Sequence, residues 1–461
     1  MRRNIGVGIL LWFIVTVTCL LASSTGAYLP VYMGIVLAGY MALDVTRRIL
    51  AKTFRVPVSH SVTCIPYFSF NLIAIINALA CYASYGNFFG AYVDDSKYFY
   101  RAVDIANGVF IGPTSLYEPI LARGIRLLGV VSGDTSRYVV YLLPLNALCM
   151  SVAIGVASQV YFQFRNEPMP LKYLVLACLN INVLSSTVYL YREPLVIMTF
   201  FVALIAILKG QRVVGAIFLI LTFSLRGAFG ILLLALVVLV RLSEGRRFDK
   251  KVVLVGGLVA LLVVAISFDM VVPYVSFFGN NTLQAYAGSV LRARVEQRTE
   301  RLGGIKGSVF SYAFLRPFVF ILSPVTLAAF SSVIDVKQNI GTWETITFEA
   351  EVVNLLSPIS WFTTCLLLYA VPVILLGVRA LYVRGGKSEQ VLSLFFVFCW
   401  IAICVFSMQV RHLTVLFLLY PVMYEYGKDG RNHRNGSFFL WSMRSLFIAL
   451  VLVVNLVSWL G

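Results

Sequence analysis

What most constrains this chain is a near-unbroken succession of apolar runs separated by short charged stretches. They lie at about 5–22, 28–44, 61–83, 137–161, 173–189, 194–208, 213–225, 228–241, 252–269, 310–333, 354–377, 390–409, 412–426 and 438–460. A helix that crosses a bilayer needs about 20 predominantly apolar residues and satisfies its own backbone within the hydrocarbon. The chain therefore reads as an all-α polytopic integral membrane protein. We expect a single membrane domain over 1–461 with about 13 transmembrane helices (range about 11–14) and outer re-entrant or amphipathic segments. Composition agrees: with 60% hydrophobic and 12% charged residues, there is too little polar surface for a soluble enzyme, a disordered chain or a free nucleic-acid binder, despite a net charge of +17.

The start of the chain resembles a secretory signal, with Arg2-Arg3 before the first apolar run and small residues at Ala22–Ala27. The next run begins at once, so the first run reads as an uncleaved helix. The eight cysteines lie in or at the ends of apolar runs and no C-x-x-C occurs, so they read as small buried hydrophobes rather than disulfides or metal ligands. Loop lysines and arginines set the orientation. Arg2 and Arg3, Arg47 to Arg55, Arg165 with Lys172, Lys209 with Arg212, Arg241 to Lys251, Arg379 to Lys387, and Lys428 to Arg444 all fall inside if one run does not cross. The run 310–333, with Arg316-Pro317 and Ser323-Pro324, is the candidate, because proline interrupts helix hydrogen bonding. It is expected to be re-entrant or interfacial on the outer side. Two outer segments are then long, 84–136 and 270–353, and the C-terminus lies outside.

With this topology the outer side carries twelve arginines but only three lysines. Arginine presents a planar fork of donors suited to phosphate. An outer arginine cluster at a membrane surface points to a phosphate-bearing, membrane-anchored ligand. The competing reading pairs these arginines with the thirteen outer carboxylates; Arg292 and Glu296, four residues apart, fit it. Arg192, Arg226, Arg316 and Arg411 fit it less well, because they sit within or at the ends of apolar runs, where an ionised group is costly. These four are expected to converge on one outer cavity with Asp94 or Asp95 near its mouth. Snorkelling to the interface is the other reading for them.

Three outer acidic sites and one histidine are candidates for chemistry. Asp94-Asp95 precedes Lys97–Ala106, as a helix cap, as a general base or as a carboxylate pair for a divalent metal. Glu118 heads a stretch in which Arg123 and Arg126 flank an apolar face, the pattern of an interfacial amphipathic helix. Glu193, ahead of Pro194, suits a helix N-terminus. His412 adjoins Arg411 at an outer helix start, whereas His60 and His433 fall inside. The chain has no phosphate-binding glycine loop, no dinucleotide fingerprint and no zinc motif.

Together, Asp94-Asp95-Ser96-Lys97-Tyr98-Phe99-Tyr100, Tyr117-Glu118-Pro119-Ile120-Leu121, Tyr191-Arg192-Glu193-Pro194-Leu195, Lys209-Gly210-Gln211-Arg212, Ser224-Leu225-Arg226-Gly227 and Val410-Arg411-His412 resemble, in order and spacing, the Wzy/EpsG-like polymerases of bacterial surface polysaccharides. The chain departs from that pattern at Glu193, where the family often has Gln, and at Leu225-Arg226-Gly227, where it often has His-Arg or His-Ser. The resemblance implies a glycosyltransferase of the bacterial inner membrane whose site faces outward. It would transfer a growing glycan from undecaprenyl pyrophosphate to the next lipid-linked repeat unit. On this footing Asp94, Asp95, Glu118 and His412 are candidate catalytic groups, and Arg123, Arg192, Arg226, Arg316 and Arg411 bind pyrophosphate. The implied partners are the lipid-linked oligosaccharide, membrane lipid, a flippase and a chain-length regulator; no cofactor, metal or nucleic acid is implied. Two other classes stay open: a GT-C type transferase using a polyprenyl-phosphate sugar, for which metal dependence would argue, and a lipid-linked oligosaccharide flippase, for which internal symmetry would argue.

Overall fold

The computed structural model describes residues 29–90, 93–109, 115–129, 139–244, 317, 330–404, 410–429, 441–442 and 444–449. The chain divides into two compact units, one comprising 1–234 and 327–361, the other 235–326 and 362–461.

The first unit is built from α1 (Leu29–Phe54), α2 (His60–Tyr85), α3 (Val93–Ala106), α4 (Tyr117–Leu127), α5 (Val139–Arg165), α6 (Leu171–Cys178), α7 (Ile181–Thr187), α8 (Glu193–Leu208), α9 (Arg212–Leu225) and the start of α10 (Gly227–Glu244). The apolar runs among the described residues are helical, as continuous hydrophobicity over this length requires. The run 173–189, expected to be one crossing, is instead two short helices. Asn180 breaks it: its side-chain oxygen accepts from the backbone N–H of Asn182 and Val183 and so starts α7. The eight residues of α6 span only about 12 Å, so the run passes from the end of α5 beside Val56 to Tyr189 beside Asn146 as two helices rather than one. The core of this unit lies around α5, which packs against α1, α2 and α8 and buries most of its length.

Helix α9 ends at Arg226, which is extended (φ −160°, ψ 102°), and α10 begins at the next residue. In a straight helix residues seven apart would be separated by about 10.5 Å. Here a methyl group on Gly230 would come 2.9 Å from the Cα of Phe223. The chain therefore folds back at Arg226, and glycine is needed where the two arms touch.

The expectation of an all-α fold needs one correction. Within the second long segment, β1 (Ser331–Asn339) and β2 (Thr345–Val353) form an antiparallel hairpin, Ser331 opposite Val353 and Asn339 opposite Thr345. Thr345-Ile346-Thr347-Phe348-Glu349-Ala350-Glu351 alternates polar and apolar residues, and the outward positions of β2 are more exposed than the inward ones. The hairpin packs on α3 and α2. The expected re-entrant run 310–333 lies almost wholly outside the described residues, as do the first run, 5–22, and the run 252–269.

The two ends of the first unit differ in charge. At one end Arg47 donates to the Val58 carbonyl, Lys209 to the Phe54 carbonyl (2.6 Å), and Gln211 to the Thr53 carbonyl. This end gathers Arg47, Arg48, Lys52, Arg55, Lys209 and Arg212. At the opposite ends of α2, α8 and α9 lie α3, α4, Arg192 and Arg226. The sixteen residues of α8 separate the ends by about 24 Å, comparable to a bilayer core. Between them α1 exposes Leu37, Met41, Val45 and Ile49 at four-residue intervals, and the start of α10 exposes Ile231 and Leu234. Such stripes suit contact with hydrocarbon rather than water.

The second unit contains most of α11 (Ser357–Arg384), then α12 (Lys387–Ala402), a 3₁₀ turn at Val410–Leu413, and α13 (Thr414–Asp429), with further helix at 441–442 and 444–449. Gly377 of α11 and Gly427 of α13 face one another so closely that a methyl on either would overlap the backbone of the other helix. Among the described residues, α2, α5, α10 and α11 are long and apolar enough to cross a membrane, and α8 and α9 are shorter apolar helices.

Candidate functional site

At the end of the first unit opposite the basic loops, four separate pieces of chain meet. Helix α3 contributes Asp94, Asp95, Tyr98 and Arg101 from its first turns. The start of α4 contributes Tyr117 and Glu118. Arg192 and Glu193 come from the start of α8, and Arg226 from the α9–α10 turn. Asn146 of α5 ties two of these pieces together. Its carbonyl oxygen accepts from the Tyr117 hydroxyl at 3.1 Å, and its amide donates to the carbonyls of Tyr189 (2.7 Å) and Tyr191 (3.0 Å), immediately ahead of Arg192.

Tyr98 is the centre of the arrangement. The Arg192 guanidinium lies 5.8 Å from the Tyr98 ring centroid, and the Tyr117 ring meets it edge-on at 5.5 Å. Burial pushes the Tyr98 phenol up to about 12, helped by the carboxylates of Glu193 and Asp94 and opposed by Arg192 and Arg226. At physiological pH Tyr98 is therefore a neutral hydroxyl.

The arginines divide. Arg226 Nη1 donates to Glu193 Oε1 at 2.7 Å, and Glu193 is almost wholly buried. The pairing reading thus holds for Arg226, and Glu193 is more than a favourable helix-start residue. Arg101 lies 3.9 Å from Glu118, which also accepts from the Ser115 hydroxyl. Arg126 donates to the carbonyls of Ile105 and Ala106 and so caps α3. Among the described residues Arg192 forms no ion pair, and its Nε is buried without a hydrogen-bond partner. Its guanidinium therefore has capacity to take up an anion.

Burial separates the two adjacent aspartates. Asp95 is 1% exposed, and its two oxygens accept from the backbone N–H of Gly90 (2.5 Å) and Ser96 (2.9 Å). Burial raises its carboxyl to about 7, although both backbone donors pull the other way. Asp95 thus ties Gly90 to the first turn of α3; because that helix already begins at Val93, it does so from inside the helix and not as the cap ahead of Lys97. Asp94 is part-exposed and one helical turn from Tyr98.

Arg192, Arg226 and Asp94 thus come together around Tyr98. Arg123, read as a pyrophosphate ligand, is exposed on α4, and none of these contacts involves it. Arg316 lies outside the described residues. Arg411 and His412 belong to the second unit, where His412 is buried in the 3₁₀ turn and Thr414 donates to the Arg411 carbonyl. Tyr98, Tyr117 and Asn146 were not singled out from the sequence. Asp94, Tyr98 and Arg101 do follow one another at helical spacing on α3, a signal that was there to be found. No family model matches the chain, and neither a curated protein nor a solved structure is detectably similar to it.

Proposed function

We propose that this protein is a membrane glycosyltransferase that polymerises undecaprenyl-pyrophosphate-linked oligosaccharide repeat units into a surface polysaccharide on the outer face of the bacterial inner membrane. On this reading the chain makes about 13 crossings and the end bearing Arg192 faces outward. What carries the proposal is the meeting of Arg192 and Arg226 with Asp94 and Tyr98 about one bilayer thickness from the basic loops.

The chemistry follows from charge. An acceptor hydroxyl oxygen attacks the anomeric carbon of the donor glycan, and the bond from that carbon to the pyrophosphate oxygen breaks. The electron pair leaves with undecaprenyl pyrophosphate, and Asp94 takes the hydroxyl proton. Arg192 meets the growing negative charge directly. Arg226, held by Glu193, adds a fixed positive field, so little reorganisation is needed during the step. Tyr98, neutral at working pH, supplies a hydroxyl to a phosphate oxygen without adding charge.

The test is the glycan ladder made by cells lacking this gene and complemented with wild type, Arg192→Ala or Asp94→Asn. The expected result is a full ladder with wild type and a single repeat unit on the lipid anchor with either variant. Loss of even the single unit in the deletion strain would instead indicate a flippase or a transferase that builds the unit. An unchanged ladder in that strain would remove the protein from this chemistry.

A further inference from the structure

The β1–β2 hairpin is absorbed by none of the chemistry above, yet it is fastened to the helix that carries Asp94 and Tyr98. Gln338 exchanges side-chain hydrogen bonds with Asn87 and donates to the Gly90 carbonyl at 3.0 Å. The Asn339 N–H donates to the Ser96 hydroxyl at 2.9 Å, and the Thr342 hydroxyl bonds Asp104. These contacts hold the turn between the strands over α3. At its tip stands Trp343, 77% exposed, with the Arg101 guanidinium 5.8 Å from its ring centroid. Arg101 in turn reaches Glu118, and its Nε is buried without a hydrogen-bond partner among the described residues. A large aromatic side chain is thus displayed at a rigid position rather than packed away.

The surroundings narrow what Trp343 could meet. Residues 331–353 carry four carboxylates (Asp335, Glu344, Glu349 and Glu351) and a single lysine, all exposed. A hairpin so charged is repelled by an anionic lipid surface and by phosphate. It tolerates a neutral ligand whose C–H bonds lie against the electron-rich indole face and whose hydroxyls reach the polar rim. A pyranose ring has that character: polarised C–H groups on a face and hydroxyls around the edge, within reach of Arg101.

The geometry points to a sugar-stacking subsite at the hairpin tip, in which Trp343 and Arg101 hold a neutral pyranose of the substrate's glycan while its pyrophosphate lies at Arg192. This rests on the functional reading above and names how that site engages the glycan. The hairpin's connections to α3 place both subsites on one helix, Tyr98 beside Arg192 and Arg101 beneath Trp343.

The experiment measures binding by purified full-length protein in nanodiscs. The two probes are the lipid-linked oligosaccharide extracted from cells lacking the gene, and undecaprenyl pyrophosphate without sugar. Trp343→Ala is expected to weaken the sugar-bearing probe about tenfold, in line with loss of one aromatic stacking contact, and to leave the bare lipid pyrophosphate unchanged. Trp343→Phe retains most of the affinity, which separates lost stacking from a damaged fold. A Trp343→Ala protein indistinguishable from wild type, or equally weakened on both probes, overturns the subsite and leaves the functional reading standing. Wild-type protein that binds neither probe overturns both.

Discussion

At the residue scale, the site's arginines differ in what holds them, and this separates stability from function. Glu193 is buried against Arg226, so Arg226→Ala leaves a buried carboxylate without its main countercharge. We expect a loss of about 3 kcal/mol, the low end for breaking a buried pair, because Arg226 keeps some exposure. Arg192→Ala removes no ion pair made within the described residues and should shift the melting transition by under about 1 kcal/mol. Thermal unfolding of both variants in detergent checks this ordering, and equal destabilisation would show that Arg192 is a structural residue. Asp95 gives a pH prediction. Its folded carboxyl titrates at about 7, above the 3.8 of the unfolded chain, so between those values the folded state binds the extra proton. Its contribution to stability is therefore fully present below about 4, falls as the pH rises towards about 7, and is level above. The wild-type melting temperature, taken relative to Asp95→Asn, should decline across that interval. A flat difference would contradict the burial that separates Asp95 from Asp94. From sequence, the two aspartates were equivalent. What distinguishes them is the Gly90 and Ser96 N–H groups converging on one of them, a contact that no spacing in the sequence encodes. The Glu193–Arg226 pair joins residues 33 apart and left no local signature.

At the scale of elements, helix placement was legible wherever the chain is continuously apolar: α2 begins one residue before its apolar run and α8 one residue before its own. The break at Asn180 was not legible, because the residues on either side of it are as apolar as those of a crossing. The hairpin was legible and went unread. Its period-two alternation at 345–351 is a strand signal inside a stretch read only as part of a long outer segment. The α9–α10 turn carries the sharpest prediction at this scale. Gly230→Ala would place a methyl against the backbone of Phe223, which cannot move aside as a side-chain end can. It should cost about 1–3 kcal/mol and displace Arg226. Gly34→Ala on α1, where nothing lies within 4 Å, should be neutral or stabilising. Paired melting curves for the two variants decide this, and an undisturbed Gly230→Ala protein would mean the two arms of the turn are not in contact.

At the scale of the whole molecule, the arginine surplus read from the sequence now has a physical setting. In the first unit the mixed lysine and arginine loops gather at one end, and Arg192, Arg226 and Arg101 at the other, where four carboxylates and Tyr98 join them. Segregation of loop charge was predictable, since short basic loops alternate with apolar runs. The partners that meet at the far end were not, because four segments spread over more than 130 residues supply them. The account's central claim is that this end joins one lipid-linked repeat unit to another. It is tested most directly by reconstituting the purified protein in vesicles with undecaprenyl-pyrophosphate-linked repeat units as the sole substrate. Wild type should yield a ladder of elongated lipid-linked glycans with release of undecaprenyl pyrophosphate, and Arg192→Ala, folded and equally stable, should yield none. Movement of the repeat unit across the bilayer without elongation, or elongation undiminished by Arg192→Ala, would contradict it.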